Sequence, residues 1–283
     1  MTATRPEQPP ISSVEHPLAK LARSLHLPHG RRRYQSCLVE GRRVVEAAAA
    51  GATPSAVLHT SAFGASDAGS RALLRRLRAA GAPVREVTDE VMAVVCDTVH
   101  PQGIIAVVPV PEGALATPEG TAALILILDA VADPGNAGTL IRVAASVGAS
   151  VIATTATTDL WAPKVLRAGA GAHFNVPVRS RVSWEALPGL MPPATRIIAT
   201  DSQAPVTFWD EDLTGPVAIV VSNEAHGATE VARRAAHRAV RIPQGGGDSL
   251  NAGVAGAIVL YEAIRQRVRA GHGLPAGLEV SWT

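Results

Sequence analysis

Aromatic side chains are scarce in this 283-residue chain, at 3% of the total. So few rings argue against a surface of interleaved base-stacking aromatics, and they leave Ala, Val, Leu and Ile to build the interior. Cysteine is rarer still. Cys37 and Cys96 stand far apart, with no CxxC or Cys/His spacing, so neither a metal site nor a secreted disulfide framework is expected. Lysine is nearly absent, with Lys20 and Lys164 its only representatives. The longest apolar stretch, 122–128, is far too short to span a bilayer, and the Pro-rich polar start does not read as a signal peptide. These absences point to a cytoplasmic protein with no membrane and no metal partner.

What is present is a globular balance of 47% hydrophobic and 18% charged residues, with a net charge of only +2. The charge is unevenly placed. Lys20, Arg23, Arg31, Arg32, Arg33, Arg42 and Arg43 crowd one short stretch, opposed between His16 and Arg43 by Glu40 alone. Such clustering fits contact with a phosphate backbone.

Periodicity divides the chain. Residues 1–14 read as a flexible arm. Over 15–108, helices are expected at 18–27, 43–50, 70–80 and from 88 onward, with strands at 36–40, 56–59, 84–87 and 103–108. That alternation predicts a small α/β/α sandwich. Residues 109–120, rich in Pro, Gly, Thr and Ala, read as a linker. From 121 to 283, strands at 122–129, 151–153, 197–199, 217–221 and 240–242 alternate with helices at 139–147, 163–168, 229–237 and 250–269. The pattern predicts a parallel sheet covered on both faces.

Three segments of the second part carry chemistry-bearing residues next to strand ends. Asp133-Pro134-Gly135-Asn136-Ala137-Gly138 leads from a buried strand into a helix, with Asn136 suited to an N-cap and Arg142 one turn in. Ser222-Asn223-Glu224-Ala225-His226-Gly227 follows another apolar strand, placing a carboxylate where open α/β sheets bind ligands. Ile242-Pro243, three glycines and Ser249-Leu250-Asn251 precede the last helix, with Ser249 a plausible cap. This glycine loop lacks the Lys-Ser/Thr ending of a phosphate-binding P-loop, and Gly169-Ala170-Gly171 follows a helix rather than a strand, so no dinucleotide fingerprint is present.

In this order and spacing the three segments resemble the motifs of the SpoU (TrmH-like) branch of the SPOUT methyltransferases. Lys164, Arg167 and Gly171 match the stretch between the first two motifs. Val39-Glu40-Gly41-Arg42 and Pro101-Gln102-Gly103 resemble the family's substrate-binding domain of ribosomal-protein-L30e type. Two positions depart: Ser222 stands where Gly is usual, and Gly169 where Ser is common.

The resemblance implies an α/β fold: a small L30e-like α/β/α domain, then a SPOUT domain with a parallel sheet and a deep trefoil knot. It implies a homodimer and S-adenosylmethionine as cofactor. It also implies 2′-O-ribose methylation of a structured RNA, 23S rRNA ahead of tRNA, in a housekeeping or antibiotic-resistance role. Arg142 would assist the ribose hydroxyl, with Asn136, Glu224, Ser249 and Asn251 completing the catalytic set. Thr200, Val221, Ser222, Asn223, Gly227, Ile242, Pro243, Ser249 and Leu250 would hold the cofactor. RNA would meet Lys20, Arg23, Arg31, Arg32, Arg33, Arg42, Lys164 and Arg167. A non-catalytic RNA-binding protein and a nucleotide-dependent metabolic enzyme are the competing readings. The motif residues argue against the first, and the missing phosphate fingerprint against the second.

Overall fold

Most apolar runs become buried strands, and proline opens α-helices at Pro17, Pro28, Pro134 and Pro163. The structure, a computed structural model, describes residues 8–111, 122–223, 227–246 and 250–272. These form two compact units. One comprises the described residues up to Pro111 together with Trp161–Phe174, and the other the remainder.

In the first unit, α1 (Pro17–Ser24), α2 (Pro28–Tyr34), β1 (Ser36–Glu40), α3 (Arg42–Gly51), β2 (Ala56–Thr60), α4 (Ser61–Ser66), α5 (Ala68–Ala79), β3 (Val84–Val87), α6 (Asp89–Val95) and β4 (Ile104–Pro109) follow in order. The sheet runs β1-β4-β2-β3, antiparallel except for the parallel β2–β3 pair. Leu25, Leu38, Leu58, Val91, Met92 and Ile105 share its main core.

Three expectations change here. Residues 8–14 are not a loose arm: Ile11 is 4% exposed and bridges to Val87, with its amide donating to the Glu86 carbonyl at 2.9 Å. The helix expected at 18–27 ends at Ser24, and Pro28 opens α2 instead of stopping α1. Proline suits a first helical turn because its missing N–H would have no partner there anyway. Gly30 then packs so closely that a Cβ would lie 2.0 Å from the Ser24 carbonyl oxygen.

In the second unit come β5 (Leu124–Asp129), α7 (Pro134–Ser146) and β6 (Ser150–Thr154), with α8 (Pro163–Ala168) next in the chain. Then follow β7 (Val178–Val182), β8 (Arg196–Thr200), β9 (Val206–Thr207), β10 (Val217–Ser222), α9 (Glu230–Ala235), β11 (Arg238–Arg241) and α10 (Ala252–Arg269). The seven-stranded sheet has the order β7-β6-β5-β10-β8-β11-β9, and every pair in it is parallel. β5 and β10 are buried along their whole length, as a strand covered on both faces must be. One sheet face packs Ile125, Ile127, Ile197, Val220 and Ala232. On α10, a Cβ at Gly256 would meet Leu140 Cδ2 at 2.3 Å and Val221 Cγ2 at 3.1 Å, so glycine sets the closeness of α7, α10 and β10.

A division of the sequence at residue 121 assigns everything after it to one domain. The segment Trp161–Phe174, carrying α8, instead belongs to the first compact unit. Its apolar side chains explain this: Trp161, Val165, Leu166 and Phe174 are buried, and a Cβ at Gly171 would contact Ala47 Cβ of α3 at 2.8 Å. Of the expected linker, 112–120 lies outside the described residues.

Candidate active site

The loop after β5 is shorter than its sequence suggests. Asp133, not Asn136, caps α7: its carboxylate accepts from the Asn136 amide at 2.8 Å, and Pro134 begins the helix. Asn136 therefore lies inside the first turn, and Arg142 sits roughly two turns in rather than one. Arg142 is exposed and contacts no acceptor among the described residues.

The cap of α10 is also reassigned. Asn251 fills the N-cap position, its Oδ1 accepting from the Val254 amide at 3.2 Å. The same side chain turns its Nδ2 outward and donates to Asn136 Oδ1 at 2.7 Å. Two residues 115 positions apart thus join the N-terminal turns of α7 and α10. Glu224, His226 and Ser249 lie outside the described residues.

A cleft of about 630 Å³, counted to its open mouth, lies at the carboxyl ends of β8, β10 and β11. Open parallel sheets place ligands at this edge, because the loops that diverge there leave a crevice with backbone groups facing in. Of the residues expected to hold a cofactor, Thr200, Val221, Ser222, Asn223, Gly227, Ile242 and Leu250 line it. Pro243 is not among its lining residues. Sequence reasoning missed Asp201, Ser202, Val240, Gln244, Ala252 and Ala255. Asp201 and Ser202 directly follow β8, so their place after an apolar strand was a usable signal; Ala252 and Ala255 were legible only as helix residues.

The cleft combines apolar walls with a few polar groups. Val221, Val240, Ile242 and Leu250 suit a flat heterocycle, and Asp201, Ser202 and Gln244 suit hydroxyl or amino groups. Gly227 has φ +65°, and its amide donates to the Asn223 carbonyl at 2.8 Å, closing a tight loop that a side chain would strain.

The basic residues separate into two groups. Arg31 is corrected out of the RNA-contacting set: it is 6% exposed and donates to the Leu25 and His26 carbonyls at 2.7 and 2.9 Å. There it satisfies carbonyls left open where α1 ends. Arg167 is likewise inward, pairing with Asp97 at 2.9 Å and with the buried Glu40 at 3.6 Å. Arg42 is held by Glu46 and Asp67, and Lys20 and Arg23 share Glu15. Arg32 and Arg33 are exposed with no carboxylate partner among the described residues, and the exposed Lys164 interacts with the Asp97 carboxylate only at longer range. Arg33 lies 5.5 Å from the centre of the half-exposed Tyr34 ring.

Among the described residues no helix is long and apolar enough to cross a membrane, and no His, Cys, Asp and Glu group is arranged to hold a metal ion.

The geometry is that of a parallel α/β sheet with a cleft at the carboxyl ends of β8, β10 and β11, and comparison with known proteins makes it specific. Residues 123–261 match the SpoU rRNA Methylase family, and residues 17–106 match the MRM3-like substrate binding domain. An uncharacterized tRNA/rRNA methyltransferase of Synechocystis is 32% identical, the match covering 91% of this chain and 94% of that protein. The 23S rRNA (guanosine(2553)-2′-O)-methyltransferase RlmP of Bacillus subtilis is 32% identical over 62% of this chain and 70% of its own. The chain spans about half the length (54%) of mouse mitochondrial rRNA methyltransferase 3, with 34% identity over 60% of this chain. The AdoMet-bound rRNA methyltransferase of Sinorhizobium meliloti superposes with a TM-score of 0.78 at 26% identity, covering 91% of this chain and 97% of that one. The chain belongs to the SpoU methylase family of the SPOUT methyltransferases.

Proposed function

We propose that this protein methylates the 2′-hydroxyl of a ribose in 23S rRNA, using S-adenosylmethionine. The observation that carries this reading is the Asn136–Asn251 bond, which joins the first and third motifs beside a cleft lined by the second. The relatives named for rRNA methylation and the AdoMet-bound neighbour support it.

The cleft's apolar walls and its Asp201 and Ser202 groups fit the heterocycle and hydroxyls of S-adenosylmethionine. When bound, that cofactor supplies an electrophilic methyl carbon. The chain must do the rest. A ribose hydroxyl is a weak nucleophile near neutral pH and needs help losing its proton. Arginine is too weak an acid to serve as an ordinary base, so Arg142 acts as a fixed positive charge. Its guanidinium holds the target phosphate and stabilises the developing alkoxide, whose proton passes to solvent water. Asn136 and Asn251 fix the pocket wall, and Glu224 and Ser249 complete the set.

Arg32, Arg33 and Lys164, with Lys20, Arg23 and Arg42 at the edge of ion pairs, supply the RNA contacts. A cytoplasmic homodimer completes the proposal. Val254 and Tyr261, each about half exposed and two turns apart on α10, support a self-association face. The deep trefoil knot that the family implies is part of the same proposal.

Incubation with methyl-labelled S-adenosylmethionine, 23S rRNA and tRNA transcripts, followed by nuclease mapping of alkali-resistant linkages, tests the function. Label at one ribose of 23S rRNA is expected. Label on a base, on tRNA alone, or nowhere overturns the reading.

A further inference from the structure

Asp129 ends β5 and is 1% exposed, among the most buried polar residues described. Four groups converge on its carboxylate. Oδ2 accepts from the Thr229 amide at 2.9 Å and the Ser222 hydroxyl at 3.4 Å. Oδ1 accepts from the Trp184 indole N–H at 3.2 Å and the Thr229 hydroxyl at 3.2 Å. The donors come from three separate places: the end of β10, the N-cap of α9 and the segment after β7.

Thr229 and Ser222 bracket the loop that carries Asn223 and Gly227 into the cleft. The next residue along, Ala130, adds a second tie. Its carbonyl accepts from Asn223 Nδ2 at 3.4 Å, and its amide donates to Thr154 Oγ1 at 3.3 Å. Ala130 does this at φ +55°, a conformation that side chains other than glycine adopt at a cost.

We infer that Asp129 is the positioning residue of the cofactor loop, and that Ser222, where the family usually has glycine, is its added donor. This rests on the proposed function and names how that site is held. The chemistry demands a carboxylate. Each of its oxygens faces one group that can only donate, the Thr229 amide on one side and the Trp184 indole on the other. An amide in either orientation turns an NH₂ group toward an N–H. The Ser222 hydroxyl donates to Asp129, so the departure from glycine adds a brace at the wall of the cleft.

The test is titration calorimetry of the full chain with S-adenosylmethionine, alongside RNA binding and thermal melting. For Asp129→Asn the expected result is a Kd for S-adenosylmethionine raised at least about tenfold, with RNA affinity unchanged. Ser222→Ala should raise it about threefold and melt normally, which keeps the test alive if the first variant unfolds. In the double variant the two effects should not multiply, because both act through the same Ser222–Asp129 contact. Cofactor binding within twofold of the parent in folded Asp129→Asn and in Ser222→Ala, or effects that multiply, overturns the inference alone. No binding by the unsubstituted chain overturns the proposed function and this inference together.

Discussion

Asn251 Nδ2 donates to Asn136 Oδ1 at 2.7 Å, while the other end of the Asn251 amide caps α10. One side chain therefore sets the helix start and its spacing from α7. Loss of a helix cap costs about 1 kcal/mol, and loss of a partly exposed neutral hydrogen bond about half that. Asn251→Ala should thus destabilise more than Asn136→Ala in urea melts. Both should lower methyl transfer by about tenfold or more, through loss of alignment. A double variant no worse than Asn251→Ala in turnover would confirm that the two act as one unit.

Arg142 separates function from stability. Exposed and without an acceptor among the described residues, it holds nothing together. Arg142→Ala should melt within about 0.5 kcal/mol of the parent. Turnover should fall by roughly 10²- to 10³-fold with cofactor affinity unchanged. Arg142→Lys should recover only part of the rate, since an ammonium lacks the planar fork. Strong turnover in Arg142→Ala would remove this residue from the chemistry.

Arg167 belongs to the opposite class. It neutralises Glu40, whose side chain is 4% exposed, while remaining 28% exposed itself. Arg167→Ala leaves that carboxylate buried without its cation. The expected loss is about 2 kcal/mol, less than for a fully buried pair because solvent reaches Arg167. Glu40→Gln in the same chain should restore part of the stability. Equal destabilisation with and without Glu40→Gln would show that packing, not charge, is at stake.

Arg267 anchors α10 from the far end of the sheet. At 8% exposure it donates to the carbonyls of Leu213, Ala122, Ala123 and Gly215, at 3.2, 2.8, 3.0 and 2.8 Å. Burial pulls its pKa down, yet the four carbonyls suit only a multi-donor cation. Arg267→Ala should cost on the order of 3 kcal/mol in denaturant unfolding, by leaving several acceptors unpaired. Arg267→Lys, with three donors in another geometry, should recover less than half of that loss.

Asp67 gives a pH prediction. Its carboxylate caps α5, accepting from the Ser70 amide at 2.9 Å and the Ser70 hydroxyl at 3.0 Å, with Arg42 alongside. Those hydrogen bonds, the Ser70 amide first, lower its pKa from 3.8 to about 2. The folded value is depressed, so the stabilisation is present above the unfolded value and is lost as pH falls through about 2. Carboxyl NMR titration should place the midpoint near the lower figure. Titration near the ordinary value would show that the cap is not formed in solution.

Much of this was legible along the chain. β1, β3 and α8 fall on the residues expected of them, because turn residues or proline mark their flanks. β7 and β9 were not legible. β7 reads Val-Arg-Ser-Arg-Val, with only its two ends apolar, and β9 is two residues long. Both become strands by joining an edge that the sheet already offers. α2 was hidden because a proline can end one helix or open the next, and local sequence does not say which.

The sequence alone determined most of the strands and helices, the three motif segments and the family, since each is written in neighbouring residues. Only the tertiary structure decided which arginines face solvent. Arg31, Arg32 and Arg33 are identical in sequence terms, yet the first is sealed against the end of α1 and the others are exposed. It likewise decided that Asn251 meets Asn136 and that Asp129 gathers Trp184, Ser222 and Thr229. Such contacts join residues from 55 to 115 positions apart. Hydrogen bonds have a reach of about 3 Å, and no pattern along a chain fixes distances between segments until the strands have stacked.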